Sequence, residues 1–341
     1  MRKSTFSSHA EFQQLKEVIV GQGYPPEYFD YIEDVEVRDN LQKIFGEIEE
    51  DFQSLIKTLN DLGVRTMRPG IKSKEDFLKD PFATPPLTPR DRQVVLNDKM
   101  VRMNNWDTWE NMWNFFRRFR GADVIDPYVQ DNNTPVIDGA NASCIFKMGR
   151  DIWFDQSDFL LPEHTTWLKE NVLTNPDYRF HEMVTDGHSD CVFTVLKPGV
   201  ILTSFWDAGV AYSKDFPGWK LHRVENPSME RFNKFRDELH PGLNWWVPGT
   251  TNAPKFKQYV DTYLGDWTGE IHESVFDVNC LIVNQENVIF GCYDKAVFDY
   301  CEANGINPIL CDIRHRFFFD GSVHCCTLDT LREGDCEDYF S

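Results

Sequence analysis

A cysteine close to the end of the chain stands in the setting that a nucleophile requires. The stretch from Gly321 to Thr327 places Cys325 directly after His324 and among small polar residues. A thiol attacks carbon only as its thiolate, so it needs cationic, polar or helix-terminal surroundings that lower its pKa from about 8.5. Taken alone, Cys325 is more simply interpreted as one more small buried residue. A catalytic role therefore depends on which other residues reach it.

The candidate partners recur at regular intervals along the chain. Each opens a predicted β-hairpin whose turn carries Gly, Asn or Asp, and the five openers are Asp91, Asp138, His188, Asp277 and Cys325. The steps between them are 47, 50, 89 and 48 residues. A period near 48 indicates repeated supersecondary units that must stack to bury their faces. Because equivalent positions of a closed ring face the same point, we expect the five residues at one central mouth.

This set of residues has a definite chemical meaning. Paired carboxylates bind a planar cation such as guanidinium through forked hydrogen bonds, and Asp190 lies on the same side as His188 if that segment is extended. A thiolate, an imidazole and a carboxylate suit attack on an electrophilic carbon followed by proton delivery to a leaving nitrogen. Singly, the aspartates and Asn141 are equally typical of turns. Their joint occurrence favours a catalytic site.

The predicted elements place these residues between short strands and helices. Apolar positions from Leu41 to Leu62 recur with helical spacing and form one buried stripe, which Gly63 ends. The other predicted elements are a strand over 15–21, hairpins over 93–103, 138–154, 188–203 and 277–290, helices over 164–172 and 295–303, and a strand over 307–312.

Composition limits the function classes. The 341 residues carry a net charge of −20, which opposes binding to nucleic acid or to an anionic membrane. No apolar run approaches the roughly 18 residues of a membrane span, and no hydrophobic segment of the secretory type follows the first residues. We therefore expect a cytoplasmic enzyme.

The nine cysteines show neither a disulfide framework nor a C-x-x-C pair. We expect most of them to be free, buried thiols in a reducing compartment. A metal site built from His324, Cys325 and Cys326 lacks the second ligand cluster that zinc spacing supplies. We expect no metal and no cofactor.

Five motifs, taken in order, resemble those of the glycine amidinotransferase family. They are Thr88 to Asp91, Pro135 to Asn141 followed by Gly149 to Asp151, Gly187 to Asp190 followed by Pro198-Gly199, Val278 to Leu281, and Val323 to Thr327. That family belongs to the guanidino-group-modifying enzymes of the pentein fold, an α/β fold described as a five-bladed α/β-propeller of pseudo-fivefold ββαβ repeats. The resemblance implies a single catalytic domain over residues 1–341 with an insertion at about 205–270, where the similarity is weakest.

The resemblance also implies roles for individual residues. Cys325 would attack the guanidino carbon, His188 would act as general acid and base, and Asp138 would support His188 and the guanidinium. The residues implied in substrate binding are Asp91, Asp190 and Asn141.

Three features depart from the family pattern. The link from Asp138 to Gly149 is about three residues longer than in the family, and Cys326 stands where an aromatic residue usually follows the nucleophile. The stretch Phe205-Trp206-Asp207 replaces the segment that carries a carboxylate-binding arginine in arginine-using members. Either another cation substitutes, with Arg223, Arg314 and Arg316 the nearest along the chain, or the natural donor or acceptor lacks a carboxylate there, as a diamine or a decarboxylated compound would.

Three functions follow as hypotheses. The first is amidino transfer from a guanidino donor, with arginine the expected donor, to an amine acceptor. The second is hydrolysis of a guanidino compound through the same intermediate, with water replacing the amine. The third is a catalytically lapsed member that binds a cationic metabolite. The expected partners are small molecules, not nucleic acid or membrane, and a homodimer is compatible with the sequence.

Overall fold

The computed structural model describes residues 5–105, 107–129, 135–157, 159–185, 188–204, 214–225, 245–247, 253–269 and 277–340. Within these ranges, short strands form five three-stranded sheets in a mixed α/β fold. The strands are β1 (Gln14–Val20), β2 (Arg65–Met67), β3 (Gln93–Leu96), β4 (Lys99–Arg102), β5 (Val124–Ile125), β6 (Ile145–Met148), β7 (Asp151–Asp155), β8 (Arg179–Met183), β9 (Phe193–Lys197), β10 (Val200–Thr203), β11 (Lys220–Arg223), β12 (Leu281–Asn284), β13 (Asn287–Phe290), β14 (Asn307–Leu310) and β15 (Thr327–Glu333).

All of these sheets have the same pattern of strand pairing. In four of them an antiparallel hairpin supplies two strands, and a third strand pairs in parallel with the second strand of the hairpin. In the fifth, β15 and β1 form the antiparallel pair without being joined as a hairpin, and β2 pairs in parallel with β1. The strand orders are β3-β4-β5, β6-β7-β8, β9-β10-β11, β12-β13-β14 and β15-β1-β2. This repetition confirms that the period near 48 residues reflects repeated supersecondary units.

The fifth sheet joins the two ends of the described chain. Strand β15 pairs antiparallel with β1, with Val20 opposite Thr327, and β1 pairs in parallel with β2. The Gly21 amide also donates to the Cys326 carbonyl at 2.8 Å. The segment that carries Cys325 is therefore anchored to the beginning of the chain.

Helices connect the strands and cover the sheets. The first begins after Asp34, whose carboxylate accepts from the amides of Glu36 and Val37, and ends before Gly63, whose φ of +77° places it in the left-handed region. The helices are α1 (Val35–Asp61), α2 (Lys74–Phe77), α3 (Pro89–Arg92), α4 (Glu110–Arg120), α5 (Pro162–Asn171), α6 (Pro254–Tyr263), α7 (Lys295–Ala303) and α8 (Arg316–Phe319). Short 3₁₀ helices lie at Pro26–Tyr31, Asp107–Trp109, Gly121–Asp123, Pro127–Val129, Ala142–Cys144, Ser189–Cys191 and Gly265–Trp267. None of the described helices is long and apolar enough to cross a membrane.

Most predicted elements are confirmed, with differences at their ends. Helix α7 has the predicted bounds, and β3 begins at Gln93, where the first predicted hairpin begins. In contrast, α1 begins six residues before the predicted start, because the Asp34 cap rather than the apolar stripe fixes its first turn. Strand β11 falls inside the predicted insertion and pairs in parallel with β10. That part of the 205–270 stretch therefore belongs to the repeat, and most of the remainder lies outside the described residues.

A network of charged side chains is buried between three of the sheets. Asp329 of β15 pairs with Arg90 at 2.9 Å, with Arg332 at 3.1 Å and with Lys147 of β6 at 3.5 Å. The hydroxyl of Ser8 also donates to Asp329. All of these side chains are buried. Because a buried charge is tolerated only when it is paired, this network fixes the positions of the segments that lead into the site.

Candidate active site

The residues around Cys325 come from equivalent places in four sheets. Cys325 lies two residues before β15, Asn279 two before β12, Cys191 two before β9 and Asp91 two before β3. Each segment is fixed by the strand that follows it. The sheets therefore bring together the four short segments that precede these strands.

The sulfur of Cys325 is held by an amide and a carboxylate. The Sγ atom lies 3.0 Å from Nδ2 of Asn279 and 3.6 Å from Oδ2 of Asp190. The Oδ1 atom of Asn279 accepts the backbone amides of His324 at 3.1 Å and of Cys325 at 3.3 Å. Because this fixes which end of the amide is oxygen, Nδ2 must point toward the sulfur.

The electrostatics differ from the sequence expectation of a lowered thiol pKa. Contact with Cys191, burial, and the carboxylates of Asp190 and Asp91 raise the pKa of the Cys325 thiol well above its ordinary value. The thiol beside these two carboxylates is therefore protonated. A cation placed between the carboxylates would offset their charge and favour the thiolate.

Asp91 and Asp190 each present one oxygen that can receive a new hydrogen bond. The Oδ1 atoms of both side chains are buried and have no hydrogen-bond partner among the residues that the structure describes. Burial raises the pKa of Asp91. Burial has the same tendency at Asp190, but the hydrogen bond and charge of His324 lower its pKa overall. A buried acceptor without a donor costs about 1–3 kcal/mol, so both carboxylates are suited to a ligand with several N–H donors.

The candidate acid and base, His188, is half-buried at the edge of this group. Its Nε2 atom lies 2.8 Å from Nδ2 of Asn141, and its ring packs edge-on against Phe159. The Oδ1 atom of Asn141 accepts both the amide and the hydroxyl of Ser143, at 2.9 and 2.8 Å. The amide nitrogen of Asn141 therefore donates to His188, which leaves Nε2 as an unprotonated acceptor.

Three hairpin openers do not occupy the places expected from the repeat, and one of them is His188, which lies five residues before β9. Asp138 lies seven residues before β6 and accepts from the hydroxyl of Tyr128 at 2.8 Å, and among the described residues no hydrogen bond or ion pair joins it to His188. Asp277 lies four residues before β12 and accepts from Sγ of Cys292 at 3.3 Å. Two residues before β12, the position equivalent to Cys325 is occupied by Asn279. The acidic residues lie at different distances before their strands, so their spacing alone does not identify the equivalent positions.

Sequence reasoning therefore missed Asn279 and Cys191 as neighbours of the nucleophile candidate. Asn279 was part of a recognised motif but had no role assigned to it. Both residues would have been found by aligning the repeats on the first residue of each hairpin. Cys326 directly follows Cys325 in the chain, but its side chain packs in the main hydrophobic cluster.

The cysteines are free thiols, and all but Cys336 are buried. This confirms the expectation drawn from their spacing. Asp190, Cys191 and Cys325 bring their ligand atoms within 4.8 Å of one another. However, Nδ2 of Asn279 donates toward all three, at 3.2, 3.3 and 3.0 Å. A donor N–H in that position suits a hydrogen-bonded group better than a metal ion.

The arginines considered for carboxylate binding have different environments. Arg314 binds Asp51 at 2.7 Å and Glu50 at 2.8 Å, and Arg316 binds Asp312 at 3.1 Å. Arg223 is exposed at the end of β11. The stretch Phe205-Trp206-Asp207 lies outside the described residues.

An unselected cation, Arg92, directly follows Asp91. Burial lowers its pKa to about 10. The carboxylates of Asp91 and Asp266 act in the opposite direction. Arg92 is therefore a further cation beside the site.

No family model matches the chain. Comparison with known proteins does find similarity to two kinds of amidinotransferase. The chain is 23% identical to the L-arginine:L-lysine amidinotransferase of Pseudomonas savastanoi pv. phaseolicola over 60% of this chain, and the match spans about half (47%) of that relative's length. It is 22% identical to inosamine-phosphate amidinotransferase 1 of Streptomyces griseus over 96% of this chain and 97% of the relative.

Solved structures give the same picture for the fold. An amidinotransferase of the saxitoxin biosynthetic pathway from Microseira wollei superposes with a TM-score of 0.68 at 18% identity, covering 98% of this chain and 100% of that chain. The agmatine deiminase of C. jejuni superposes with a TM-score of 0.56 at 12% identity, covering 98% of each chain. The resemblance to amidinotransferases and to guanidino-modifying enzymes of the pentein fold is thereby confirmed.

Proposed function

We propose that this chain, which shares the fold of the guanidino-modifying enzymes and resembles amidinotransferases along its length, moves an amidino group from a guanidino donor to an amine acceptor. Arginine is the proposed donor. One observation carries the proposal: the sulfur of Cys325 lies beside the buried carboxylate of Asp190 and near that of the half-buried Asp91, and each carboxylate has one buried oxygen with no hydrogen-bond partner among the described residues. That arrangement fits a planar cation whose central carbon is attacked by sulfur.

Binding of the donor would activate the nucleophile. A guanidinium can donate to Oδ1 of Asp91 and Oδ1 of Asp190 through its forked N–H groups. Its positive charge offsets the two carboxylates that raise the pKa of Cys325. The thiolate would therefore form when the substrate is in place, and the proton would pass to Nε2 of His188, the unprotonated ring nitrogen, as the Asn141 amide releases it.

The first half-reaction then forms a C–S bond and breaks a C–N bond. Sulfur attacks the guanidino carbon, and the protonated imidazole of His188 donates its proton to the leaving amine nitrogen. With arginine as donor, the leaving amine is ornithine. The amidino group remains attached to Cys325.

The second half-reaction returns the enzyme to its initial state. The amine acceptor attacks the amidino carbon, its proton passes to His188, and the C–S bond breaks. If water attacks instead, the outcome is hydrolysis. The two outcomes depend on how well water is excluded while the intermediate exists.

We also propose supporting roles and an overall arrangement. Asp138 is proposed to assist His188 and the guanidinium, and Asn141 to hold His188 and border the substrate. The repeated pattern of strand pairing and the pairing of β15 with β1 support a closed five-bladed α/β-propeller of ββαβ repeats. In this proposal the propeller is one catalytic domain over 1–341 with an insertion within 205–270. The free thiols support a reducing, cytoplasmic location. A homodimer remains compatible with this proposal.

The decisive experiment is a product analysis of the purified protein. Arginine is incubated alone and with a panel of amines, and ornithine, new guanidino products and urea are quantified. Amine-dependent ornithine release, with one new guanidino product for each ornithine, supports the transferase. Ornithine and urea without consumption of amine would establish the hydrolase, and binding of arginine without any product would favour the lapsed enzyme.

A further inference from the structure

The imidazole of His324 lies between two buried carboxylates and takes part in none of the proposed chemical steps. Its Nδ1 atom is 2.7 Å from Oδ2 of Asp190, and its Nε2 atom is 3.4 Å from Oε2 of Glu11. All three side chains are buried. Glu11 precedes β1 and Asp190 precedes β9, so His324 bridges two sheets behind the nucleophile.

The two carboxylates determine the protonation of this ring. A neutral imidazole has one N–H, so its other nitrogen would direct a lone pair at a carboxylate, whereas an imidazolium donates from both nitrogens. Burial and the nearby charge of Arg90 oppose the charged form, but Glu11 and the hydrogen bond to Asp190 together raise the pKa of His324. The same contacts lower the pKa of Glu11. Glu11 faces the ring from the segment before β1, Asp190 from the segment before β9, and Arg90 from α3.

His324 also determines which oxygen of Asp190 is available. Oδ2 receives Nδ1 of His324 and, from another direction, Nδ2 of Asn279 at 3.2 Å. Oδ1 is buried and has no hydrogen-bond partner within the described part of the chain. With Oδ2 held by two donors, the carboxylate cannot rotate without breaking both hydrogen bonds, so the direction of Oδ1 is fixed.

We infer that His324 is a positioning residue that, held as a cation between Glu11 and Asp190, keeps the Asp190 carboxylate ionised and directs its Oδ1 toward the guanidino donor. This inference rests on the proposed function only in naming the donor. The bridge itself consists of contacts within the protein and can be tested without turnover.

A purely structural role makes a different prediction. The backbone carbonyl of His324 accepts Nε of Arg90 at 3.0 Å, so the residue also belongs to the buried charge network. If His324 served only to stabilise the fold, its substitution would reduce the amount of active protein and lower the apparent kcat. The KM for the donor and the pH profile would then stay unchanged.

Three variants separate the two nitrogens of the ring. His324→Asn keeps a donor near the Nδ1 position, toward Asp190, and His324→Gln keeps one near the Nε2 position, toward Glu11. His324→Leu keeps neither. Steady-state kinetics with arginine and with agmatine is measured for each variant across pH, and thermal unfolding shows whether each variant is folded.

We expect His324→Leu and His324→Gln to raise the KM for the donor about 10- to 100-fold, the range expected for a lost hydrogen bond to a charged group. The acid limb of kcat/KM should move to higher pH, because burial favours the protonated form of Asp190 once the imidazolium is gone. His324→Asn should recover most of the KM. Folded Leu and Gln variants with the wild-type KM and acid limb would overturn the inference.

A titration of the histidine ring nitrogens by NMR provides the independent readout. In the wild type, the midpoint of His324 should lie above the usual value of about 6.5, and Glu11→Gln should lower that midpoint. An ordinary midpoint in the wild type would overturn the proposed bridge, whether or not the enzyme is active. If the wild type neither bound nor consumed a guanidino compound, the proposed function would fail while a raised midpoint would still support the bridge.

Discussion

The amide nitrogen of Asn279 lies 3.0 Å from the sulfur of Cys325, while the amide oxygen of the same side chain accepts the backbone N–H of Cys325 at 3.3 Å. One side chain thus orients both the backbone and the sulfur of the proposed nucleophile. Asn279 is completely buried and precedes β12, whereas Cys325 precedes β15 of another sheet. Its role therefore depends on how the sheets meet.

Replacing Asn279 with Ala should lower kcat by about 100-fold, of the order seen when one preorganised donor is removed from an active site. The variant loses a donor to the thiolate and an acceptor for two amides. The alkylation rate of Cys325 by iodoacetamide as a function of pH, measured with arginine present, should show a higher thiol pKa. The matched control is Asn307→Ala at the exposed start of β14, and equal losses in both variants would argue against a specific role for Asn279.

The two adjacent cysteines should differ sharply in importance. We expect Cys325→Ala to abolish turnover with the fold intact, because only the covalent step requires sulfur. Cys326→Ala should retain most activity, because that side chain packs in the main hydrophobic cluster. Mass spectrometry of enzyme quenched during turnover should find the amidino adduct on the peptide of Cys325. Loss of activity in the reverse order would show that the nucleophile is misassigned.

The proposed support of His188 by Asp138 can be compared with its observed partner, Asn141. Asp138→Asn should lower kcat by orders of magnitude and change the pH profile if the carboxylate stabilises a charged imidazole during the reaction. Tyr128→Phe is the matched control, because it removes the observed partner of Asp138 and keeps the carboxylate. A normal profile in Asp138→Asn together with an altered one in Asn141→Ala would assign the support of His188 to Asn141.

The donor's carboxylate should be recognised by a cation near the site if arginine is the substrate. Arg314 and Arg316 are engaged by Asp51 and Asp312, so their substitution should leave the ratio of kcat/KM for arginine over agmatine unchanged. Arg92→Leu or Arg223→Leu should lower that ratio by about 10-fold or more, because a carboxylate near Asp91 without a cation would be repelled. A strong preference for arginine in every one of these variants would refute this account. A preference for agmatine in the wild type would instead indicate a donor without a carboxylate.

The buried charge network should contribute strongly to stability and to its dependence on pH. Asp329→Asn should lower the free energy of unfolding by about 3–5 kcal/mol, because it leaves Arg90, Lys147 and Arg332 without their shared anion. These cations hold the pKa of Asp329 well below its ordinary value although burial opposes this. Its contribution to stability is therefore present above the unfolded pKa of about 3.9 and is lost as the pH falls toward the lower folded value. Urea unfolding at neutral and acid pH measures both effects.

The exposed pair of Lys295 and Asp299 in α7 supplies the control for that experiment. Asp299→Asn should leave the urea midpoint unchanged at neutral pH, because an exposed pair contributes little. Equal destabilisation in the two variants would mean that burial of the network is not what makes Asp329 important.

Local patterns in the sequence determined the elements and their repetition. The apolar stripe of α1, the turn glycines such as Gly149 at φ +64°, and the alternation of hairpins and helices are short-range features, so these elements are confirmed, with first residues that differ from the predicted ones by up to seven positions. The motif around Cys325 also identified the nucleophile candidate. These features can be predicted because each depends on neighbours along the chain.

Only the tertiary structure decided which side chains meet at the sulfur. Asn279 reaches Cys325 because it stands just before β12, and Asp190 and Cys191 reach it because they stand just before β9. A shift of a few residues moves a side chain away, as Asp277 and Asp138 show. The protonation states were likewise set by contacts between segments far apart in sequence. Burial and the neighbouring carboxylates raise the pKa of the Cys325 thiol, whereas Glu11 and Asp190 keep His324 charged, because charge interactions in a buried site depend on distances that the sequence does not contain.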